Sequence, residues 1–173
     1  MSGKRILVLG CGRGWHAKQL QAAANARGCT LQFSDYESLF AAIGPQSPSS
    51  PDGVQLGVDR FTPESSPSAR FDAVLARSMP AGSLEKITFR LAVLHAWAGD
   101  TVANATPIPV INSPRAMEIA IDKFATLALL RRLGYLVPET IVVQSRSEAM
   151  AAFEHLGGDC VVKPIFGGEG RGV

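Results

Sequence analysis

The chain has 173 residues, of which 46% are hydrophobic and 18% are charged, so it is long and apolar enough to bury a core and is not disordered in composition. Seventeen basic residues against fifteen acidic residues leave a formal net charge of +2, which gives no broad attraction to nucleic acid or to anionic lipid. No apolar run approaches the roughly 18 residues that span a membrane. We therefore expect a cytoplasmic protein that has neither a nucleic-acid partner nor a membrane partner.

The first predicted element is a buried parallel strand. The residues from Arg5 to Gly10 contain a continuous apolar run that ends in glycine, which is typical of a strand covered on both faces. Good helix formers from about His16 to Arg27 predict a helix, and Gly28 is placed to end it in a left-handed conformation. A second strand is expected over Thr30 to Phe33. This order of elements is typical of the start of an α/β domain.

The chain changes character after the second strand. A short helix is expected through Tyr36, Leu39 and Ile43. Five of the eleven prolines then fall between residues 44 and 69, among many serines. Only Val54 to Val58 is apolar enough to predict a short hairpin arm within this stretch. Because proline and glycine interrupt regular structure, we interpret the stretch as an extended surface insertion.

A regular pattern returns with the sequence FDAVLARS. Ala73 to Ala76 form a third predicted strand, and Arg77 lies at its carboxyl end. Apolar residues recur at helical spacing after Ser83, which is a favourable residue for capping the start of a helix. A fourth strand is expected at Val110 and Ile111. The alternation of strands and helices predicts a doubly wound parallel sheet of the flavodoxin or Rossmann kind over residues 1–112.

A second domain is expected over residues 113–173, because two helical segments follow one another there without an intervening strand. Gly134 and Pro138 end the second segment. A strand, a helix and a further strand are predicted after it. The predicted elements of this domain are helices over Arg115 to Ile121, Phe124 to Leu133 and Ser147 to Leu156, and strands over Thr140 to Val143 and Cys160 to Pro164.

The glycines of the sequence LVLGCGRGWH have more than one interpretation. A dinucleotide fingerprint fails, because Gly10, Gly12 and Gly14 lack a further glycine at the required spacing. The same stretch looks like the first motif of methyltransferases that bind S-adenosylmethionine, and Asp35 supplies an acidic residue after the second strand. The simplest interpretation is a structural turn. A methyltransferase and a non-catalytic binding or oligomerisation module remain alternative functions.

The last residues, VVKPIFGGEGRGV, combine one cation with many glycines. Lys163 follows an apolar run, and four glycines follow it at Gly167, Gly168, Gly170 and Gly172. Glycines let backbone N–H groups approach an anion closely, which suits a nucleoside triphosphate. The pattern is not a P-loop, because the lysine precedes the glycines and no Gly-Lys-Ser/Thr follows.

The order of a strand, a Lys-Pro pair and a glycine-rich loop resembles the sequence pattern of the ATP-grasp ligases. The preceding sequence INSPRAMEIAIDKFATLALLRRLGYLVPET strengthens this, since it resembles the entry to the ATP-grasp fold in RimK-like α-L-glutamate ligases. The resemblance covers residues 110–173. It implies an α/β protein in which a pre-ATP-grasp domain precedes the beginning of an ATP-grasp domain.

The resemblance also implies site residues and chemistry. Lys123 and Lys163 would contact the phosphates of ATP, with the loop from Gly167 to Gly172 closing over them, and Arg77 is a candidate for orienting an acidic substrate. Such enzymes use ATP and Mg²⁺ to activate a carboxylate as an acyl phosphate, which an amine then converts to an amide. Glutamate is the implied amine donor. The acceptor is a protein or a small carboxylated cofactor precursor.

The sequence departs from this family at its end. Val173 is the last residue, and it precedes the part of the family pattern that supplies the metal ligands and the adenine-binding hinge. We therefore expect that the chain is the N-terminal part of a ligase, that it contains no metal site, and that it is inactive alone. A homo-oligomer is left open.

Overall fold

The computed structural model describes residues 3–46, 53–59, 71–99 and 107–166. The loop glycines from Gly167 to Gly172 and parts of the proline-rich stretch therefore lie outside the described residues. The chain divides into two compact units, Met1–Met117 (unit 1) and Glu118–Val173 (unit 2). The predicted domain boundary after Asn112 stays a prediction.

Unit 1 contains a parallel sheet of four strands, which confirms the predicted α/β class. The strand order is β2-β1-β5-β6, and all three neighbouring pairs are parallel. The strands of this sheet are β1 (Arg5–Leu9), β2 (Thr30–Ser34), β5 (Ala73–Ala76) and β6 (Val110–Ile111).

The core of unit 1 lies on the central strands. Leu7 and Leu9 of β1 are almost completely buried, as is Val74 of β5, because a parallel sheet is covered on both faces and its strands are apolar throughout. Trp97 and Leu94 bring a helix onto this core. Burying each large apolar side chain contributes roughly 1.5–3 kcal/mol, so these positions account for much of the stability of unit 1.

The end of the first helix of unit 1 and the start of the second lie where the sequence predicts them. Helix α1 (Trp15–Asn25) is followed by Gly28 at φ 65°, and the next residue, Cys29, donates its N–H to the Ala24 carbonyl at 2.9 Å. This is a Schellman motif, in which glycine supplies the left-handed conformation. Helix α2 (Leu84–Ala98) begins with a Ser83 side chain that accepts from the Lys86 N–H.

The helix expected through Tyr36, Leu39 and Ile43 is wrong. Only a single 3₁₀ turn forms, at Tyr36–Ser38, and the chain then enters strand β3 (Leu39–Ile43), which pairs antiparallel with β4 (Val54–Val58). Leucine and alanine favour a helix locally, but pairing with β4 and packing of Leu39 into the core override that preference. The predicted hairpin arm therefore has its first strand in the segment that was expected to be helical.

Unit 2 is mainly helical in its described residues. Asp122 caps helix α4 by accepting from the Ala125 N–H at 3.0 Å, and Ser145 caps the last helix by accepting from the Glu148 N–H. Gly134, at φ 86°, ends α4 in a second Schellman motif. The helices from the boundary onward are α3 (Pro114–Ile121), α4 (Lys123–Arg132) and α5 (Arg146–His155).

The strands expected over Thr140 to Val143 and Cys160 to Pro164 do not form. Neither segment has a strand partner within the described residues, where the bridge in this unit joins Asp122 to Phe166. A strand needs a neighbour for its backbone N–H and C=O groups, so β-branched residues alone do not produce one.

Unit 2 also leaves its apolar side chains uncovered. From residue 118 to residue 166 no described residue is buried. Tyr135, Leu136 and Val162 are among the large side chains that remain exposed. In the described part of the chain, no helix has the length and apolar character needed to cross a bilayer.

Candidate functional site

The carboxyl edge of the unit 1 sheet contains a topological switch point. Strand β1 lies between β2, which follows it directly in the chain, and β5, which follows only after the hairpin. The strand order therefore reverses direction between β1 and β5. In open parallel sheets, ligands bind outside the carboxyl ends of the strands at such a switch point.

The glycine-rich turn after β1 forms one side of this edge. The Gly10 N–H donates to the Ser34 carbonyl at 2.9 Å, and Gly14, at φ 88°, precedes the first helix without a side-chain cap. A Cβ at either position would meet nothing within 4 Å, whereas one at Gly12 would press on the Phe33 ring. Positive φ angles explain glycine at Gly10 and Gly14, and close packing against Phe33 explains it at Gly12. All three glycines are therefore accounted for by a structural turn.

Arg77 is the first residue after β5, and its side chain is exposed. The end of β5 is fixed by Asn112, whose side-chain amide donates to the Ala76 carbonyl at 3.2 Å. Arg13 lies in the turn after β1 and is also exposed. Because β1 and β5 are paired in register from Ile6↔Ala73 to Leu9↔Ala76, the two arginines follow neighbouring strand ends.

Arg90 is a buried cation that the sequence analysis did not identify. Only 3% of it is exposed, and its guanidinium donates to the Pro80 carbonyl and to the Glu37 carboxylate, both at 2.8 Å. It therefore ties the loop after β5 to the turn after β2. Its place in sequence gives a signal, since it is three residues after Ile87 and four before Leu94 on the apolar stripe of α2.

Tyr36 packs in the core beside this arginine. The Arg90 guanidinium carbon lies 5.5 Å from the Tyr36 ring centroid. The Tyr36 hydroxyl is buried without a hydrogen-bond partner in the described structure. Burial raises the pKa of Tyr36 to about 12, although the positive charge of Arg90 acts in the opposite direction.

In unit 2 the backbone brings the segments of the two predicted phosphate-binding lysines together. The Lys123 N–H donates to the Ile165 carbonyl at 3.0 Å, and Asp122 forms an isolated antiparallel bridge with Phe166. Ile165, whose carbonyl accepts this hydrogen bond, lies two residues after Lys163. Lys123, the first residue of α4, is half-buried, and Lys163 is exposed.

The phosphate-binding role of Lys123 and Lys163 stays a prediction, and the structure joins the backbone segments that carry them. Two lysines on adjoining segments can provide point charges to phosphate oxygens. The four glycines of the predicted loop lie beyond the described residues. Across the described ranges, no group of three or more His, Cys, Asp or Glu side chains could hold a metal ion.

A groove of about 390 Å³ lies beside α4. It forms where the helix packs against the segment of the sequence VPET, and neither Lys123 nor Lys163 lines it. Its walls are mostly apolar, with one charge of each sign. The lining residues are Phe124, Leu127, Ala128, Arg131, Val137, Pro138, Glu139 and Thr140.

Curated relatives of this chain are glutamate ligases. A tetrahydromethanopterin:alpha-L-glutamate ligase from Methanosarcina acetivorans is 37% identical over 102 residues, which cover 59% of this chain and 29% of that protein. An enzyme with the same name from Methanocaldococcus jannaschii is 38% identical over 66 residues, which cover 38% of this chain and 22% of that protein. No protein-family model matches the chain.

Solved structures with the same fold are ATP-grasp proteins. The ATP-grasp ligase PsnB in complex with a minimal precursor has a TM-score of 0.55 at 26% identity, covering 98% of this chain and 56% of its own. A RimK domain protein from Sphaerobacter thermophilus has a TM-score of 0.59 at 23% identity, covering 88% of this chain and 46% of its own. The chain thus spans about half the length of these structures.

The sequence relatives and the fold lead to the same group of enzymes. The resemblance predicted from the residues between 110 and 173 is therefore confirmed. PsnB has also been solved with Mg and ADP and with a precursor peptide and AMPPNP. The chain is related in sequence and in fold to the RimK-like ATP-grasp ligases.

Proposed function

We propose that the chain is part of an ATP-dependent carboxylate–amine ligase that uses glutamate as its amine donor. The observation that carries the proposal is the hydrogen bond from the Lys123 N–H to the Ile165 carbonyl, which links the segments of both predicted phosphate-binding lysines. The names of the two curated relatives support glutamate as the donor. The acceptor is a protein, a peptide or a small carboxylated cofactor precursor.

In this proposal, the residues of unit 2 bind the phosphates of ATP. Lys123 and Lys163 neutralise phosphate oxygens, and the glycines from Gly167 to Gly172 donate backbone N–H groups to them. Arg77 in unit 1 orients the acidic substrate. When ATP is bound, it supplies the phosphoryl group that activates a carboxylate as an acyl phosphate for attack by the amine.

We propose that the 173-residue chain alone does not catalyse the ligase reaction. Its described residues offer no acidic cluster for a metal ion, and it spans about half the length of the solved relatives. We propose that the Mg²⁺ ligands belong to polypeptide outside this chain. The 173-residue chain is then expected to bind ATP without releasing ADP.

Calorimetric titration of the chain with ATP tests the phosphate-binding role. Lys163→Gln is expected to weaken ATP binding about tenfold or more, because a charge-assisted contact contributes roughly 1.5–3 kcal/mol. Lys86→Gln is the matched control, since Lys86 is an exposed lysine in unit 1. Equal ATP affinity in the Lys163 variant and in the unmodified chain would overturn the proposed role.

Two further titrations separate the alternatives. Binding of S-adenosylmethionine in the absence of ATP binding would favour a methyltransferase that uses the turn from Gly10 to Gly14. A stable oligomer with no affinity for either compound would favour a non-catalytic module. Amide formation by the 173-residue chain would contradict the expectation that it is inactive alone.

A further inference from the structure

Two exposed arginines, Arg13 and Arg77, lie at the switch point of unit 1. Within the described residues, neither Arg13 nor Arg77 has a hydrogen-bond or ion-pair partner, and both are exposed. Arg13 is on the turn after β1, and Arg77 directly follows β5, its neighbour in the sheet. The two positive charges therefore belong to adjacent strand ends at the edge where parallel sheets bind ligands.

The acidic side chains near this edge are partly engaged elsewhere. The Glu37 carboxylate accepts from the buried Arg90 at 2.8 Å, and the Asp59 carboxylate accepts from the Ser34 hydroxyl at 2.9 Å. Asp35 has an exposed carboxylate, but it follows β2, on the other side of β1 from β5. Asp35 thus follows the strand next to the one that Arg13 follows, yet no hydrogen bond or ion pair joins it to Arg13 within the described residues. In this part of the chain, both arginines are left available to an external anion.

The loop that follows Arg77 is held in place by the protein itself. Arg90 binds the Pro80 carbonyl at 2.8 Å, and Asn112 binds the Ala76 carbonyl at 3.2 Å. Both ends of the segment around Arg77 are therefore anchored. Anchoring of this kind reduces the ordering cost when an arginine binds a ligand.

We propose that Arg13 and Arg77 form a binding site for a carboxylate group at the switch point of unit 1. A guanidinium presents two parallel N–H donors that match the two oxygens of a carboxylate. A pair of arginines therefore selects a carboxylate over a neutral amide. That the carboxylate belongs to the acceptor substrate rests on the proposed ligase function, whereas carboxylate binding itself does not.

The test is an ¹⁵N–¹H NMR titration of the 173-residue chain with N-acetyl-L-glutamate, a small dicarboxylate. Shifts are expected at the backbone amides of residues 10–14, 77–79 and 81–82; Pro80 has no N–H. Arg13→Gln and Arg77→Gln are each expected to weaken binding about tenfold or more. Arg77→Lys is expected to weaken binding less than Arg77→Gln, because lysine keeps the positive charge but lacks the two parallel N–H donors of arginine. Arg27→Gln, after the C-terminal end of α1, is the matched control and should bind normally.

A parallel titration with an acidic tripeptide that ends in glutamate distinguishes a peptide carboxylate from a small molecule. Tighter binding of the tripeptide assigns the site to a peptide, and the reverse assigns it to a small molecule. Equal binding of the corresponding neutral diamide, or unchanged affinity in both glutamine variants, would overturn the proposal. ATP titration of the same samples separates the two hypotheses. If the unmodified chain bound ATP but not the dicarboxylate, only the carboxylate site would be refuted, and the proposed ligase function would stand.

Discussion

At the scale of single residues, the pair Tyr36 and Arg90 departs most from the expected apolar core. A tyrosine hydroxyl and a guanidinium are both more than nine-tenths buried in the same region. Arg90 satisfies its donors on Pro80 and Glu37, whereas the Tyr36 hydroxyl has no partner in the described structure. A buried hydroxyl without a hydrogen bond lowers stability. The Tyr36 hydroxyl is therefore expected to lower the free energy of unfolding by a measurable amount.

The pH dependence of stability is expected to reveal that hydroxyl. The pKa of Tyr36 is about 12 in the folded chain, against an ordinary value of 10.0, so the unfolded chain loses its proton first as pH rises. Stability is therefore complete below pH 10 and falls by about 2–3 kcal/mol between pH 10 and pH 12. Urea unfolding across this range measures the loss.

Tyr36→Phe is expected to remove this component of the loss and to leave stability at pH 7 unchanged or raised by up to about 1 kcal/mol. Tyr135→Phe is the matched control, because Tyr135 is 60% exposed, and it should keep the loss. If Tyr36→Phe retained the full loss above pH 10, burial would not be the cause.

At the scale of elements, local signals identified helix ends better than strands. Ser83 and Gly28 were predicted as the start of one helix and the end of another, and the structure has both. Such positions depend on contacts within a few residues. The segment Leu39–Ile43 was predicted incorrectly, because its partner β4 lies beyond a proline-rich connection that carries no local signal.

In the candidate site, too, features that depend on local sequence were predicted and features that depend on distant contacts were not. Lys123 and Lys163 were selected from motifs, but the pairing of their backbone segments, through the Lys123–Ile165 hydrogen bond and the Asp122–Phe166 bridge, is encoded by no local pattern. Arg90 was missed because an arginine on an apolar stripe is usually assigned to the surface. Arg77 could be placed from sequence because it directly follows a strand.

The hairpin offers a test of backbone strain. Gly53 has φ 72° and Gly28 has φ 65°, so alanine is disfavoured at both. A Cβ at Gly53 would overlap the Gly44 carbonyl oxygen, whereas a Cβ at Gly28 would meet open space. Gly28→Ala is therefore expected to cost about 1 kcal/mol, and Gly53→Ala about 2 kcal/mol or more.

Thermal unfolding of the two variants checks this order. Gly28→Ala is the matched control, since it shares the left-handed conformation without the overlap. Equal destabilisation of the two variants would show that the Gly44 contact adds nothing to the cost of the conformation.

At the scale of the whole molecule, the two units differ in how much they bury. Leu94 and Val93 of α2 are almost inaccessible, whereas α4 has no buried residue. Amide protons of α4 are expected to exchange at least about a hundredfold faster than those of α2, because opening of a solvated helix costs less than opening of a core helix. Hydrogen exchange followed by mass spectrometry measures both helices in one sample.

The expected exchange pattern has a clear alternative. If α4 and α2 were equally protected, the exposed apolar side chains of unit 2 would have to be covered in solution, for example by self-association. Dilution of the sample tests this, since protection that comes from association decreases with concentration.

The position of β1 also has a consequence for how the protein acquires its fold during synthesis. Its first neighbour, β2, follows one helix later, but its second neighbour, β5, begins only at Ala73. Until that residue has left the ribosome, one edge of an apolar strand has no partner. Closing so long a segment slows folding, so the nascent chain passes through a stage in which Leu7 and Leu9 are not yet covered by the later part of the sheet.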